Sequence, residues 1–326
     1  MNCPRLDHFV RLMPNGKLVR CGHMVRPPQF DTLEELDSSE WLKELKENDS
    51  WPQECIRCKQ SEELKQPSLR TYALQFHKTQ IKKDYLIVGG VLDNICNSAC
   101  LFCDETYSTK IGSLKSKKYI KINNTKRFWG LPIDRIVQLD LNGGEPSASK
   151  NYMNVLKNLP PNVKSIRVNT NASMVISELE TIQKQGIKIT VTVSFDGVGE
   201  VYDYIRWPTK WTKFVDNLNE YKKMNLHDVN LWTTINALNI GNLDNIFQFV
   251  EENQLNHSYA LLDSPTELNI KYTNKYTTEA KQQLKHPKSI IVLEKCAIDI
   301  NNDKELAQFL IDQEKLRKTT KDSNEN

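Results

Sequence analysis

No apolar run in this chain approaches the ~20 residues needed to cross a bilayer, so no membrane-spanning helix is expected. The opening residues Met1-Asn-Cys-Pro-Arg-Leu-Asp-His8 contain no apolar signal core, and the expected compartment is the cytoplasm, where thiols stay reduced. Charge of either sign is not in excess: 44 Lys and Arg face 41 Asp and Glu, a net of +3, too little to hold nucleic acid or another polyanion. There is no repeat of fixed period and no low-complexity tract. The nearest approach to one is the lysine-rich stretch Lys110 to Lys126, which runs on into Arg127 and reads as a solvated face or lid, with docking of an acidic substrate as the alternative. At 326 residues, 39% hydrophobic and 26% charged, the composition is that of an ordinary soluble protein with room for one large domain and a small one.

Cysteine is present and unevenly placed. Of the eight, seven fall in two clusters before residue 104, and Cys296 stands alone as a small buried hydrophobe. In a reducing compartment this pattern points to metal rather than disulfides. Cys96, Cys100 and Cys103 form the run Cys96-Asn-Ser-Ala-Cys100-Leu-Phe-Cys103. Three soft thiolates converging from one short loop suit one corner of an iron–sulfur cube, leaving the fourth iron open for chemistry. Zinc ribbons use paired C-x2-C knuckles and fit this spacing poorly. The competing reading is three buried cysteines with no ligand role.

From Tyr85 onward, β-rich runs alternate with helical stretches, the pattern of βα units building a parallel sheet. Six strands are predicted: Tyr85 to Leu92, Ile136 to Leu141, Ser165 to Asn169, Ile187 to Phe195, Val229 to Asn236 and Ser258 to Leu262. Helices are predicted near Lys150 to Leu159, Ile176 to Gln185 with Gly186 as stop, Thr209 to Met224, and Leu243 to Asn253. The fold class is α/β, a partial (β/α)6 TIM-like barrel. Its strand ends would gather the cysteine loop, the turn Asn142-Gly143-Gly144-Glu145-Pro146, Asn171 and Ser194 around one mouth.

Residues 1–80 read as a small cysteine-rich α+β module, 81–268 as the barrel and 269–326 as a helical extension. In the first segment, Phe9 to Met13 and Lys17 to Arg20 form strands around the turn Pro14-Asn15-Gly16, Thr32 and Glu35 form a capping box, and a second short helix starts at Trp41. Cys3, Cys21, Cys55 and Cys58 surround them and could enclose one metal centre. In the last segment, Tyr276 to His286 and Asp303 to Lys318 are helical, with Leu306, Phe309 and Leu310 on one packing face and a frayed tail from Thr319.

The cysteine loop, with Phe102 before its last cysteine, and the sequence Gly143-Gly144-Glu145-Pro146 resemble the radical S-adenosylmethionine (SAM) enzymes, whose signatures are C-x3-C-x2-C and GGEP. The resemblance covers roughly residues 85–265. It implies a [4Fe-4S] cluster on Cys96, Cys100 and Cys103, with SAM chelating the open iron. Gly143, Gly144, Glu145 and Pro146 would then face its ammonium, Asn171 and Ser194 its ribose or methionine part, the Phe102 backbone its adenine, and the Arg206 fork its carboxylate. Reductive cleavage would give methionine and a 5′-deoxyadenosyl radical that takes hydrogen from an organic substrate, a peptide or a small molecule. The electron would come from an external flavodoxin- or ferredoxin-like donor. Residues 1–75 resemble the twitch module, a shortened relative of the SPASM domain, with its Cys-x2-Cys followed by a helix ending near Ser68-Leu-Arg70. That implies a second, fully ligated [4Fe-4S] cluster on Cys3, Cys21, Cys55 and Cys58 acting as an electron relay, with structural zinc as the rival. Relatives of this kind often act on polypeptides, although no winged-helix peptide-recognition module is present in the pattern. A cysteine-rich metal or electron-transfer protein without SAM cleavage is the alternative from another class.

Overall fold

The computed structural model describes residues 2–63, 67–81, 84–115, 119–270, 274–294 and 303–318. Cys296, Lys117, Lys118 and the tail from Thr319 lie outside the described residues. The architecture is an eight-stranded sheet in the order β2-β1-β3-β4-β5-β6-β7-β8, with β1 at Phe9–Leu12, β2 at Leu18–Val19, β3 at Leu86–Val91, β4 at Ile136–Asn142, β5 at Ser165–Thr170, β6 at Lys188–Ser194, β7 at Asp228–Ile235 and β8 at Asn256–Leu261. All pairings from β1 to β8 are parallel, and β2 pairs antiparallel to β1 at one edge. β2 and β8 are the two edge strands, β2 carrying only an isolated bridge from Leu18 to Phe30, so the sheet is open, compatible with a partial barrel.

The six predicted strands are β3 to β8. The predicted N-terminal hairpin does more than pack nearby: β1 joins the sheet, with Phe9 opposite Ile87 and Leu12 opposite Gly90. Gly90 makes the join possible. Its φ is +107°, and a Cβ there would stand 2.2 Å from the Leu12 carbonyl oxygen. The hairpin turn closes as its sequence requires, with Met13 N–H donating to the Lys17 carbonyl at 2.8 Å.

The strands show why one face is core and the other is not. In β5, Ile166, Val168 and Thr170 are buried while Arg167 and Asn169 are exposed on the opposite, concave face. The covering helices place apolar residues at matching intervals: Phe214, Leu218 and Tyr221 in Trp211–Lys223, and Leu243, Ile246, Phe247 and Val250 in Leu243–Asn253. These side chains and the sheet's convex face share one core cluster.

Capping residues fix the small elements. Thr32 and Glu35 form the expected reciprocal box at the start of Leu33–Ser38. Ser68 opens a helix, Leu69–Thr79, by accepting from the Thr71 N–H, which corrects the expectation of a helix end near Ser68; the preceding helix, Ile56–Glu63, starts within the Cys-x2-Cys pair and carries Cys58. The C-terminal helix Asp303–Lys318 buries Leu306, and Phe309 and Leu310 pack with it against Leu101 and Phe102 of the cysteine loop.

Candidate functional site

The cysteine loop begins where β3 ends, and buried side chains dictate its path. Asp93, fully buried, accepts from Ile95 N–H at 3.1 Å, from Asn151 Nδ2 at 2.7 Å and from the Ser149 hydroxyl. Asn94 donates to the carbonyls of Glu105 and Ile120 and accepts from Ile122 N–H at 2.9 Å. Thr109 Oγ1 accepts from Cys96 N–H at 3.1 Å, and Ser108 donates to the Ser98 carbonyl at 2.6 Å. On the far side, Ala99 and Leu101 N–H groups donate to the carbonyls of Trp207 and Ile205. Each contact removes a backbone freedom, so the three thiols are presented by a braced loop.

The glycine turn after β4 locks onto this loop. Gly144 N–H donates to the Asp93 carbonyl at 3.1 Å and Glu145 N–H to the Ile95 carbonyl at 2.7 Å. A Cβ on Gly144 would lie 2.3 Å from the Ile95 carbonyl oxygen, so the close approach this glycine permits is to the cysteine loop itself. The Glu145 carboxylate is buried and already engaged: one oxygen accepts from Ser147 N–H, Ser147 Oγ and Thr170 Oγ1, the other from Asn171 N–H at 2.6 Å. Burial raises its pKa, while the bonds from Asn171, Ser147 and Thr170 oppose the rise. Pro146 follows, buried, as the first residue of a short 3-10 turn.

A cavity of about 360 Å³ opens above these elements at the carboxyl ends of the strands. Cys96, Cys100 and Cys103 line it together with Phe102, Gly143, Gly144, Glu145, Asn171, Ser194 and Arg206. Of the residues expected to hold SAM, Pro146 alone is absent from the lining. Asn171 braces the loop, donating to Ser98 Oγ at 2.8 Å and Asn97 Oδ1 at 3.0 Å. Burial pushes the Cys96 thiol up to about 12, with the neighbouring Cys100 adding to the shift, and Cys103 moves the same way. Deprotonated, such buried thiols need a cation beside them. The Arg206 fork is taken by Asp196, and its remaining Nη1 lies 3.6 Å from Cys100 Sγ.

No site role was expected for Arg11, Asn169, Thr170 and Tyr107, which also line the cavity, together with Ser98 of the cysteine loop and Asn142 of the turn after β4. Asn142 Oδ1 and Arg11 Nε are buried there without a hydrogen-bond partner. Asn142 and Asn169 lie at strand ends, a signal that was available; Arg11 enters only because β1 joins the sheet. Asp263, Tyr202 and His77 are outside the lining. Asp263 pairs with Arg57 at 3.2 Å, Tyr202 donates to the Asn171 carbonyl, and His77 contacts the Tyr85 hydroxyl at 2.9 Å.

Cys3, Cys21, Cys55 and Cys58 line a separate, much smaller cavity of about 20 Å³, with Arg5, His23, Trp51 and Arg70. Burial, then nearby thiols, pushes Cys55 up to about 12; Cys3 rises to about 11 by burial first. Arg5 Nε donates to Cys21 Sγ at 3.3 Å. Among the described residues, no three Cys, His, Asp or Glu side chains stand together so as to hold a single metal ion. Three thiols facing a roomy cavity with an open polar acceptor nevertheless fit a cluster with a co-ligand, whereas the second site has space for a group the size of one ion or water.

Residues 91–251 match the Radical SAM superfamily. No curated protein sequence matches the chain. Among solved structures, SuiB of Streptococcus suis bound to the precursor peptide SuiA is similar at 15% identity and a TM-score of 0.46, covering 91% of this chain and 71% of that one. SuiB bound to S-adenosylmethionine gives 15% and 0.45, with 90% and 70% covered, and a further SuiB structure 14% and 0.45, with 90% and 69%. Among the described residues, no helix is long and apolar enough to cross a membrane. The sequence match places a Radical SAM superfamily domain at residues 91–251, and the chain is an enzyme of the radical SAM class.

Proposed function

We propose that this enzyme binds a [4Fe-4S] cluster through Cys96, Cys100 and Cys103 and SAM in the adjoining cavity, and acts on an organic substrate, favouring a peptide or protein side chain. The family implies the cluster and SAM; bound there, they supply reductive cleavage to methionine and a 5′-deoxyadenosyl radical, which takes a hydrogen atom from the substrate. The observation that carries the reading is the convergence of three thiols, the Gly143-Gly144-Glu145 turn, Asn171 and Ser194 on one cavity.

The chain's own residues divide the work. Glu145 and Asn171 have spent most of their bonding capacity on the protein, so they hold the loop and turn in register. Asn142 Oδ1, buried and unpartnered, is an available acceptor for an ammonium, and Ser194 adds a hydroxyl to the same lining. Phe102 and the C-terminal helix close the apolar side and keep water from the loop. An external flavodoxin- or ferredoxin-like donor supplies electrons. The peptide substrate rests on the resemblance of the N-terminal segment to twitch modules, an argument by analogy, with a small metabolite as its competitor.

For the N-terminal thiols there are two readings. The twitch resemblance favours a second [4Fe-4S] cluster used as a relay. Structural zinc is the rival, the smaller group for a cavity of about 20 Å³ lined by four thiols.

Anaerobic incubation of reconstituted protein with SAM and dithionite tests the main reading. 5′-Deoxyadenosine is expected; none, from protein with an intact cluster, rejects SAM cleavage and leaves a metal or electron-transfer protein.

A further inference from the structure

Arg206 is the one guanidinium held against a thiol of the cysteine loop by side-chain geometry among the described residues. It is only 8% exposed, and three groups surround it. Its Nε and Nη2 both bond Asp196 Oδ2. Asp196 is itself buried, at the carboxyl end of β6, and its other oxygen accepts from Thr234 N–H at 2.6 Å. Nη1 donates toward Cys100 Sγ at 3.6 Å. The ring of Phe102 sits 5.3 Å from the guanidinium carbon. The backbone is pinned as well, Arg206 N–H donating to the Tyr202 carbonyl at 2.8 Å. Burial opposes the positive charge, but the Asp196 carboxylate outweighs it, and Arg206 stays protonated.

The Nε–Nη2 edge of the fork is committed to a buried carboxylate, which fixes the plane of the guanidinium and turns Nη1 toward sulfur. We propose that Arg206 is a positioning residue of the iron–sulfur site: it donates to the Cys100 sulfur and raises the cluster's reduction potential, rather than gripping the carboxylate of SAM. The inference rests on the reading that Cys100 ligates a cluster.

The sign follows from charge. Reduction adds one electron to the cluster, and an N–H···S bond from a fixed cation stabilises that added charge more than the oxidised state. Asp196 cancels part of the field, but the positive end of the pair is the end at the sulfur. Removing the donor therefore makes reduction harder while leaving the SAM-contacting surface in place.

The test uses full-length, anaerobically reconstituted protein. Wild type is compared with Arg206→Lys, Arg206→Met and the double variant Asp196→Asn/Arg206→Met, which removes both charges and avoids a lone buried carboxylate. Iron is counted first, the midpoint is then measured by EPR-monitored redox titration without SAM, and SAM affinity by equilibrium dialysis. At the wild-type midpoint, the reduced-to-oxidised ratio is expected to fall about tenfold in Arg206→Met and the double variant, a shift of about 59 mV for one electron. Arg206→Lys should shift less, and SAM affinity should stay within about twofold in all three. An unchanged or raised midpoint overturns the inference, as does a tenfold loss of SAM affinity. Wild-type protein that takes up no cluster overturns the underlying reading too, and the iron count alone reveals that case.

Discussion

Arg317, in the last turn of the C-terminal helix, donates a hydrogen bond of 3.0 Å to the carbonyl of Ala99, in the middle of the three-cysteine loop. A second bond, 2.8 Å to the Tyr204 carbonyl, and the faces of Tyr204 and Trp207 beneath its guanidinium complete the clasp. The helix thus acts as a strap across the outside of the loop. Replacing Arg317 with Ala should cost about 1.5–3 kcal/mol, the range for hydrogen bonds to a charged group. Thermal unfolding would measure it, and iron should leave the variant faster in air. Equal iron retention in the two proteins would deny the strap its role.

Gly144→Ala should be among the worse single-methyl additions in the chain. The clash is with backbone, the Ile95 carbonyl at 2.3 Å, so neither side can yield cheaply. A loss of at least about 1–3 kcal/mol is expected, together with a displaced cysteine loop and weakened SAM binding. Gly241 has nothing within 4 Å of an added Cβ, so Gly241→Ala is the matched control and should be near neutral. Similar denaturant midpoints for the two variants would contradict the geometry.

His257 gives the fold a measurable pH dependence. Its ring contacts Thr233 Oγ1 at 2.8 Å and packs among Phe195, Phe247 and Tyr259; burial first, then Lys288, lowers its pKa from 6.5 to about 4. The unfolded chain therefore binds more protons than the folded one between those values, and stability falls as pH drops from about 6.5 toward 4. The full effect is roughly 3 kcal/mol at most. Denaturant unfolding of wild type and His257→Gln at pH 7 and pH 5 should show a smaller loss in the variant. Parallel losses would mean that His257 is not the group responsible.

The N-terminal site is decided by metal content. Cys55→Ser/Cys58→Ser should leave the Cys96 loop untouched. If the site holds a second cluster, iron falls from about eight to about four per chain in the variant. If it holds zinc, wild type carries about four iron and one zinc, and only the zinc is lost. Mass-spectrometric metal analysis with acid-labile sulfide separates the two, and no change in either metal would exclude both.

Local pattern carried much of the fold. The helix Leu243–Asn253 ends where its periodicity ends, and β4 to β7 lie within a residue or so of their predicted bounds. Each is set by its own neighbours in sequence: apolar alternation, a capping residue, a glycine stop. Partners far apart in the chain were not legible. Nothing local in Phe9–Leu12 says that it will pair with β3, so neither the joining of the hairpin to the sheet nor the arrival of Arg11 at the cavity could be read. For the same reason Leu306, Phe309 and Leu310 read as packing residues without revealing that they pack on Leu101 and Phe102. Arg206 was found by its sequence context, but its engagement by Asp196 depends on how the end of β6 faces the helix Glu200–Ile205.

On the proposed reading, Cys96, Cys100 and Cys103 hold a cluster with one iron free to bind SAM. The most direct test is the EPR spectrum of the reduced, oxygen-free protein before and after adding SAM, with Cys55→Ser/Cys58→Ser as the background so that only the Cys96 loop reports. The spectrum should change on adding SAM, and no such signal at all should appear in Cys100→Ala. A fully loaded cluster whose spectrum is identical with and without SAM would contradict that reading.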